Sequence, residues 1–314
     1  MSQSIRIATF NVENLFARYK FREDFSPLGE DGFSINNLAF SIYNDDEKKI
    51  TAKAIKEVNA DVLCLQEVES LPLLDRFNST YLASKKYKHR IVVDGNDPRS
   101  IDVAVLSRYP IESVKSNRHL RNAKNSASLF SRDCLEVTVS VDVEDGKTAP
   151  LKLYVNHFKS MMGGREGTHE RRVEQVDGAV EIMDEQQSAT GYDGNFAILG
   201  DFNDYVDDNT SLKALLDHDE LRDVLMNSSL PDDEKWTHFW GSGGDYRQLD
   251  YIFLSRQLYE RAGSPDPTVF RKGLPWRAER YSGDRLDDVG ENSPKASDHC
   301  PLYVDVPKAA LKTD

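Results

Sequence analysis

At several points in the chain a carboxylate, an amide or an imidazole stands where a short apolar run begins or ends. The run FAILG leads into Asp201 and Asn203 (LGDFND), TFNVEN carries Asn11 and Glu13, and LCLQEV ends in Glu67. LYVNHFKS supplies Asn156 and His157, QLDYIF begins its apolar run with Asp250, and Asp298 and His299 precede LYVDV. Oxygen ligands of this kind suit a hard divalent cation, and an imidazole beside a carboxylate suits proton transfer to or from water. Each member alone has a plainer reading. Asp-x-Asn is ordinarily a turn former, a Glu at a strand end is commonly solvated, Asp-His is a frequent surface dipeptide or N-cap, and a lone histidine such as His157 is usually structural. The collection weighs more than its members, because strand ends far apart in sequence would each have to acquire site-like chemistry independently.

For these residues to meet, the runs that carry them must be strands ending at one edge. Residues 5–10 alternate, 62–66 form a continuous apolar run, and 102–106 follow the turn-like DGNDPRS. Residues 135–143 keep period two, so one face of that strand is buried. Further strands are expected over 151–158, 196–200, 250–254 and 302–306. Helical spacing appears over 46–58 and 168–187, and more weakly over 211–225. Many strands with a few intervening helices predict an α+β sandwich, two packed sheets with helices outside. The chain is expected to form a single domain over 1–306, followed by a short C-terminal tail over 307–314.

Composition narrows the function classes. Of 314 residues, 39% are hydrophobic and 30% charged, enough for a large core and a well-hydrated surface. No apolar run approaches the roughly 18 residues that cross a bilayer, so no integral membrane segment is expected. The strand-like alternation begins by Ile5 and leaves no room for a leader, so the chain as given reads as cytoplasmic; a trimmed secreted protein would look the same. Cys64, Cys134 and Cys300 make neither a disulfide framework nor a zinc motif. The net charge of −13 disfavours coating of polyanions, but it is unevenly spread. Between Lys115 and Arg132, a segment that includes Arg121 and Lys124, there is no acidic residue, and Lys159, Arg165, Arg171 and Arg172 follow His157. Charge alone does not distinguish a binding surface from ordinary solvated loops.

The ordered series ATFNVENL, DVLCLQEV, VAVLSRYPI, VNHFKS, ILGDFND, QLDYIFLS and SDHCPL resembles the endonuclease/exonuclease/phosphatase superfamily over nearly the whole chain. The resemblance implies a four-layer fold, two mixed β-sheets face to face with helices outside and the site at one end. It also implies site roles. Asp201 and Asn203 match the Gly-Asp-x-Asn element that positions the attacking water and the scissile phosphate. Asn11 and Glu67 match metal-site positions, with Glu67 the central carboxylate, Glu13 a further ligand and Asp298 near the metal. Asp250 and His299 match the family's Asp-His pair.

Physical chemistry points the same way. Hydrolysis of a phosphodiester near neutral pH calls for a hard cation on oxygen ligands, Mg²⁺ or Mn²⁺, with Ca²⁺ as an alternative. A carboxylate behind an imidazole fixes its tautomer, as Asp250 would for His299. His157 and Asn203 would then hydrogen-bond the phosphoryl oxygens.

Within the family, His157 and the phrase VNHFKSMMGG are similar to bacterial extracellular nucleases of the ExeM kind. The expected substrate is therefore nucleic acid, held by Arg121, Lys124, Arg132 and Lys159 from the basic segments. The alternative is a sphingomyelinase-like or inositol-phosphatase-like hydrolase of a lipid or small phosphate ester. That reading calls for an exposed aromatic hairpin, which the sequence does not reveal. A non-catalytic binding module is the third. LPWRAER (274–280) is read as a surface loop, and no protein partner is indicated.

Overall fold

The computed structural model describes residues 3–21, 33–35 and 38–313. Strand β1 (Ser4–Leu15) is followed by a small antiparallel sheet of β2 (Ala17–Phe21), β3 (Phe33–Ile35) and β4 (Leu38–Ile42). Helix α1 (Asp45–Val58), β5 (Val62–Val68), α2 (Leu71–Tyr81), β6 (His89–Val92) and β7 (Asp102–Ser107) complete the first half. The middle contributes β8 (Ile111–Lys115), β9 (Cys134–Asp142), β10 (Thr148–His157), α3 (His169–Gln187), β11 (Phe196–Asp201), α4 (Lys213–Leu216) and β12 (Leu221–Asp223). A hairpin of β13 (His238–Trp240) and β14 (Asp245–Arg247) then leads into β15 (Asp250–Ser255), α5 (Arg256–Arg261), β16 (Pro267–Val269) and β17 (Leu302–Pro307).

Two six-stranded sheets result, in the orders β16-β17-β1-β5-β7-β6 and β12-β15-β11-β10-β9-β8. The period-two side-chain alternation of a strand decides which layer each residue joins. On β5, Val62 and Cys64 face the other sheet, while Leu63 and Leu65 pack with Ile50, Ile55, Leu74 and Phe77 of α1 and α2. On β10 and β11, Leu153, Val155, Ala197 and Leu199 face inward, while Tyr154, Phe196 and Ile198 pack with Val176, Ala179 and Met183 of α3. The expected sandwich of two mixed sheets with helices outside is therefore the fold.

Strand direction gathers the polar ends. β1 runs parallel to β5 and β10 parallel to β11, so their C-terminal ends bring Asn11, Glu67, His157 and Asp201 to one edge. β15 and β17 run antiparallel to these neighbours and present their N-terminal ends there, with Asp201 opposite Asp250 and His299 just ahead of Leu302.

Four local expectations differ. The weak helix over 211–225 is a single turn, α4, followed by strand β12; its apolar residues Leu212, Leu215 and Leu221 recur because they cover the outer face of the second sheet. Helix α2 was not anticipated; Pro72 in its first turn and the buried Leu74 and Phe77 make it. The C-terminal residues are packed, with Ala310 and Leu311 in the core and the backbone N–H of Lys312 donating to Asn195 Oδ1 at 2.9 Å. The stretch 274–280 is also only half a surface loop, because Leu274 and Ala278 are buried beside Trp236 and Cys300 while Trp276 is exposed. Among the described residues, no helix is long and apolar enough to cross a membrane.

Candidate active site

Asp201 closes β11 at the edge of the sandwich, and one of its oxygens is the meeting point of the site. Oδ2 accepts hydrogen bonds from Asn11 Nδ2 at 2.9 Å and Asn203 Nδ2 at 3.1 Å. The Nε2 atoms of His157 and His299 lie 3.5 and 3.7 Å from the same oxygen. The backbone is shaped for this convergence. Gly200 has φ +143°, and a Cβ there would stand 1.9 Å from the carbonyl oxygen of Asn156 on the neighbouring strand, so no other residue fits. Glu13, Asn14, Glu67 and Asn203 all adopt positive φ, a cluster of uncommon conformations that turns the strand ends toward one point.

Behind His299, Asp250 Oδ2 lies 2.8 Å from Nδ1 and also accepts from Thr237 Oγ1 at 2.7 Å. This carboxylate fixes the ring so that Nε2 faces Asp201. Burial opposes a charged ring, but Asp250 and then Asp201 outweigh it and hold the His299 pKa well above the ordinary histidine value. His157 behaves oppositely. Burial, reinforced by Arg132, His299 and Arg99, pushes its pKa well below the usual value, and its buried Nδ1 has no hydrogen-bond partner. Burial also raises Asp201, to about 7, with Asp250 adding to the effect. One carboxylate tuned toward neutrality thus stands between a charged and a neutral imidazole.

On the first sheet, Glu67 Oε1 accepts from Asn11 Nδ2 at 3.2 Å and Oε2 accepts from the backbone N–H of Asn14 at 3.0 Å. Glu67 is only partly buried and lies beside the Asn11 side chain, whose Oδ1 accepts from the Glu13 N–H at 3.0 Å, so the polar groups here are oxygen donors and all three cysteines are buried elsewhere. That donor chemistry fits a hard divalent cation. Glu13 does not join them: both its carboxylate oxygens lie 2.6 Å from Lys295 Nζ, and Oε2 also accepts from the Asp298 N–H. It is an ion-pair partner rather than a free ligand. The turn holding Asn11 and Glu13 is secured by Lys48, whose buried Nζ donates to the carbonyls of Val12 and Glu13 at 2.6 and 2.7 Å. A lysine in an amphipathic helix reads as solvent-facing, so sequence reasoning passed it over. His238, beside Asp298 and His299, was missed too.

The expected basic surface is partly dismantled. Arg132 is buried, its Nη1 donating to the Phe158 carbonyl and its Nε 3.2 Å from Asp97 Oδ2, so it underlies the site instead of lining an open surface. Arg165 and Arg172 are taken up by Asp204. Lys159 is half buried. Arg121 and Lys124 are exposed on a loop pinned to α3 by Arg171 and Gln175, and no contact places either beside Asp201. Arg99, unanticipated, is half exposed and close enough to Arg132 and Glu67 for their charges to be felt.

A family model described as the endonuclease/exonuclease/phosphatase family matches residues 6–308. A search of curated proteins finds no match. Among solved structures, the chain is similar to truncated Caenorhabditis elegans TDP2, at 16% identity over 96% of this chain and 97% of that one, with a TM-score of 0.58. It is similar to the human Nocturnin catalytic domain, solved with a bound sulfate anion, at 17% identity over 97% and 94%, with a TM-score of 0.59. An endonuclease/exonuclease/phosphatase family protein from Bacteroides thetaiotaomicron is similar at 15% identity over 96% and 97%, with a TM-score of 0.57. At these identities the likeness establishes the fold.

Proposed function

The chain belongs to the endonuclease/exonuclease/phosphatase family, a family of hydrolases, and from that membership we propose that it is a divalent-metal-dependent phosphodiesterase acting on nucleic acid. The observation that carries the reading is the convergence of Asn11, Asn203, His157 and His299 on Asp201 Oδ2. Asp201 takes the proton of the attacking water as the water oxygen bonds to phosphorus and the ester P–O bond breaks, the ester oxygen leaving with the bonding electrons and taking a proton from solvent. His299, kept charged by Asp250, and neutral His157 donate to the phosphoryl oxygens, where negative charge accumulates. Asn203 orients the phosphate. Glu67 and Asn11 would hold a Mg²⁺ or Mn²⁺ ion, which when bound offsets the charge developing on the phosphate.

Two features favour a polymer. Arg99 and the half-buried Lys159, each close enough to the buried Arg132 for its charge to be felt, form a cationic flank suited to phosphates beyond the scissile one. On the other side, Asp298 shares a groove with Phe239, Trp240, Arg277 and Lys295, and Trp240 is 55% exposed. An exposed indole beside cations suits an unpaired base. Trp240 on the β13–β14 hairpin and Trp276 in the stretch 274–280 give the lipid or small-ester reading its specific support, because both are about half exposed and could meet a lipid interface. Plasmid DNA, single-stranded DNA, RNA, sphingomyelin vesicles and a generic phosphodiester, each with and without Mg²⁺, separate the two. The nuclease reading expects cleavage of DNA or RNA that Trp240→Ala weakens while generic diester hydrolysis is spared. Turnover of sphingomyelin with none of nucleic acid would overturn it.

A further inference from the structure

His238 was not among the residues expected at the site, and the fold brings it there by backbone pairing alone. The Phe239 N–H donates to the Asp298 carbonyl at 2.9 Å, the Cys300 N–H to the Thr237 carbonyl at 2.6 Å, and His238 and His299 form an antiparallel bridge. The two imidazoles consequently sit with ring centres 4.5 Å apart, and His238 Nε2 lies 3.8 Å from Asp298 Oδ2. One ligand atom each from His238, Asp298 and His299 falls within 4.8 Å of the others.

We propose that His238, Asp298 and His299 form a second, nitrogen-rich metal site that selects Zn²⁺ or another late first-row ion over Mg²⁺, and that its occupation switches the hydrolase off. Two imidazoles and a carboxylate make the borderline donor set that zinc and its neighbours take, whereas Mg²⁺ prefers oxygen alone. Ligands about 2.0–2.1 Å from a tetrahedral zinc stand about 3.4 Å from one another, so the His238–Asp298 pair at 3.8 Å needs to contract by a few tenths of an ångström and His299, within 4.8 Å of both, by up to about 1.4 Å. The outer support is already built. Asp250 occupies Nδ1 of His299, which leaves Nε2 as the ligand atom and raises its basicity, as carboxylates behind metal-bound histidines do. Asp298 is anchored through its backbone N–H to Glu13, which Lys295 holds in turn.

Inhibition follows from geometry. The Nε2 that would bind this metal is the atom 3.7 Å from Asp201 that the hydrolytic reading needs for the phosphoryl oxygen. A metal there takes the Nε2 lone pair in place of the proton, so His299 can no longer donate that N–H to a substrate phosphate. This regulatory consequence rests on the proposed hydrolytic role of His299, whereas the existence of the site does not.

The test uses the full chain, stripped of metal and then kept in excess Mg²⁺. Titration with ZnCl₂ by calorimetry should show one tight equivalent, and Co²⁺ should develop the visible absorption of a nitrogen-ligated, low-coordinate ion. His238→Ala should weaken Zn²⁺ binding by about 10²-fold or more and abolish the Co²⁺ spectrum, while Glu67→Gln should leave both in place. If His238→Ala does not fold, Asp298→Asn gives the same readouts. Zn²⁺ inhibition of cleavage, scored for each variant against its own Mg²⁺-supported rate, should need correspondingly more Zn²⁺ in His238→Ala. Zn²⁺ affinity unchanged in His238→Ala, or lost in Glu67→Gln, would overturn the site. A protein that hydrolyses nothing with Mg²⁺ would contradict the hydrolytic reading, yet the calorimetry and the Co²⁺ spectrum would still decide the metal site.

Discussion

Nδ1 of His299 lies 2.8 Å from Oδ2 of Asp250, and both side chains are buried. A buried ring held this way has one orientation and one free nitrogen, so the two residues should act as a unit. His299→Ala should lower kcat by about 10²- to 10⁴-fold, the usual contribution of a positioned acid or base. Asp250→Asn should cost a similar factor, and the double variant little more than either alone. Losses that multiplied in the double variant would show two independent sites.

The exposed basic loop that carries Arg121 and Lys124 should matter only for a long substrate. Arg121 and Lys124 are exposed, so Arg121→Glu with Lys124→Glu should leave the fold intact, weaken nucleic-acid binding and make its log-log salt dependence shallower by about 2. Hydrolysis of a generic phosphodiester should stay nearly unchanged. Equal loss on both substrates would assign the loop to folding rather than binding.

A buried charge cluster stabilises the region behind the site. The Asp204 carboxylate is fully buried, accepts from Ser211 Oγ at 2.6 Å and pairs with Arg165 at 2.6 Å and the buried Arg172 at 3.4 Å. Asp204→Ala leaves buried guanidinium charge uncompensated and should destabilise the fold by about 3–5 kcal/mol in urea titrations. A loss below about 1 kcal/mol would mean that water reaches the arginines.

Asp223 supplies a pH test of burial. It accepts from the Leu225 N–H and from Gln248 Nε2, and burial raises its pKa to about 6 from an unfolded value near 3.8. The folded state therefore holds this proton where the unfolded state has released it. Its contribution is fully present below about pH 4 and is lost as pH rises through about 6, a change of about 3 kcal/mol. Asp223→Asn, with the Gln248 amide free to turn over, removes that slope, so its stability relative to wild type should rise between pH 4 and 6.5. A constant difference over that range would contradict the assignment.

The sequence carried the two-sheet architecture and the identity of the residues that meet at Asp201, because alternation fixes strands and the polar residues ending them stand out against apolar runs. What it hid was nonlocal. His238 comes to His299 through pairing between segments about sixty positions apart, and nothing in THFWG announces that partner. Arg132 looked like a surface cation because its counter-charge, Asp97, arrives from another loop. Glu13 looked like a ligand until the fold delivered Lys295 to it. Lys48 looked solvated because a charged residue on a helix ordinarily is, whereas here two backbone carbonyls at a strand end take the ammonium group.

Metal-dependent phosphodiester hydrolysis organised around Asp201 is tested most directly by one metal add-back measurement. Protein stripped by EDTA is assayed on single-stranded and plasmid DNA, then again after Mg²⁺ or Mn²⁺ is restored, beside Asp201→Asn and Glu67→Gln. The expected result is no cleavage in chelator and full recovery with metal for the wild type. Asp201→Asn should remain at least about 10²-fold slower at saturating metal, and Glu67→Gln should recover only at much higher metal. Full cleavage in the chelator, or an Asp201→Asn rate equal to wild type, would contradict the account.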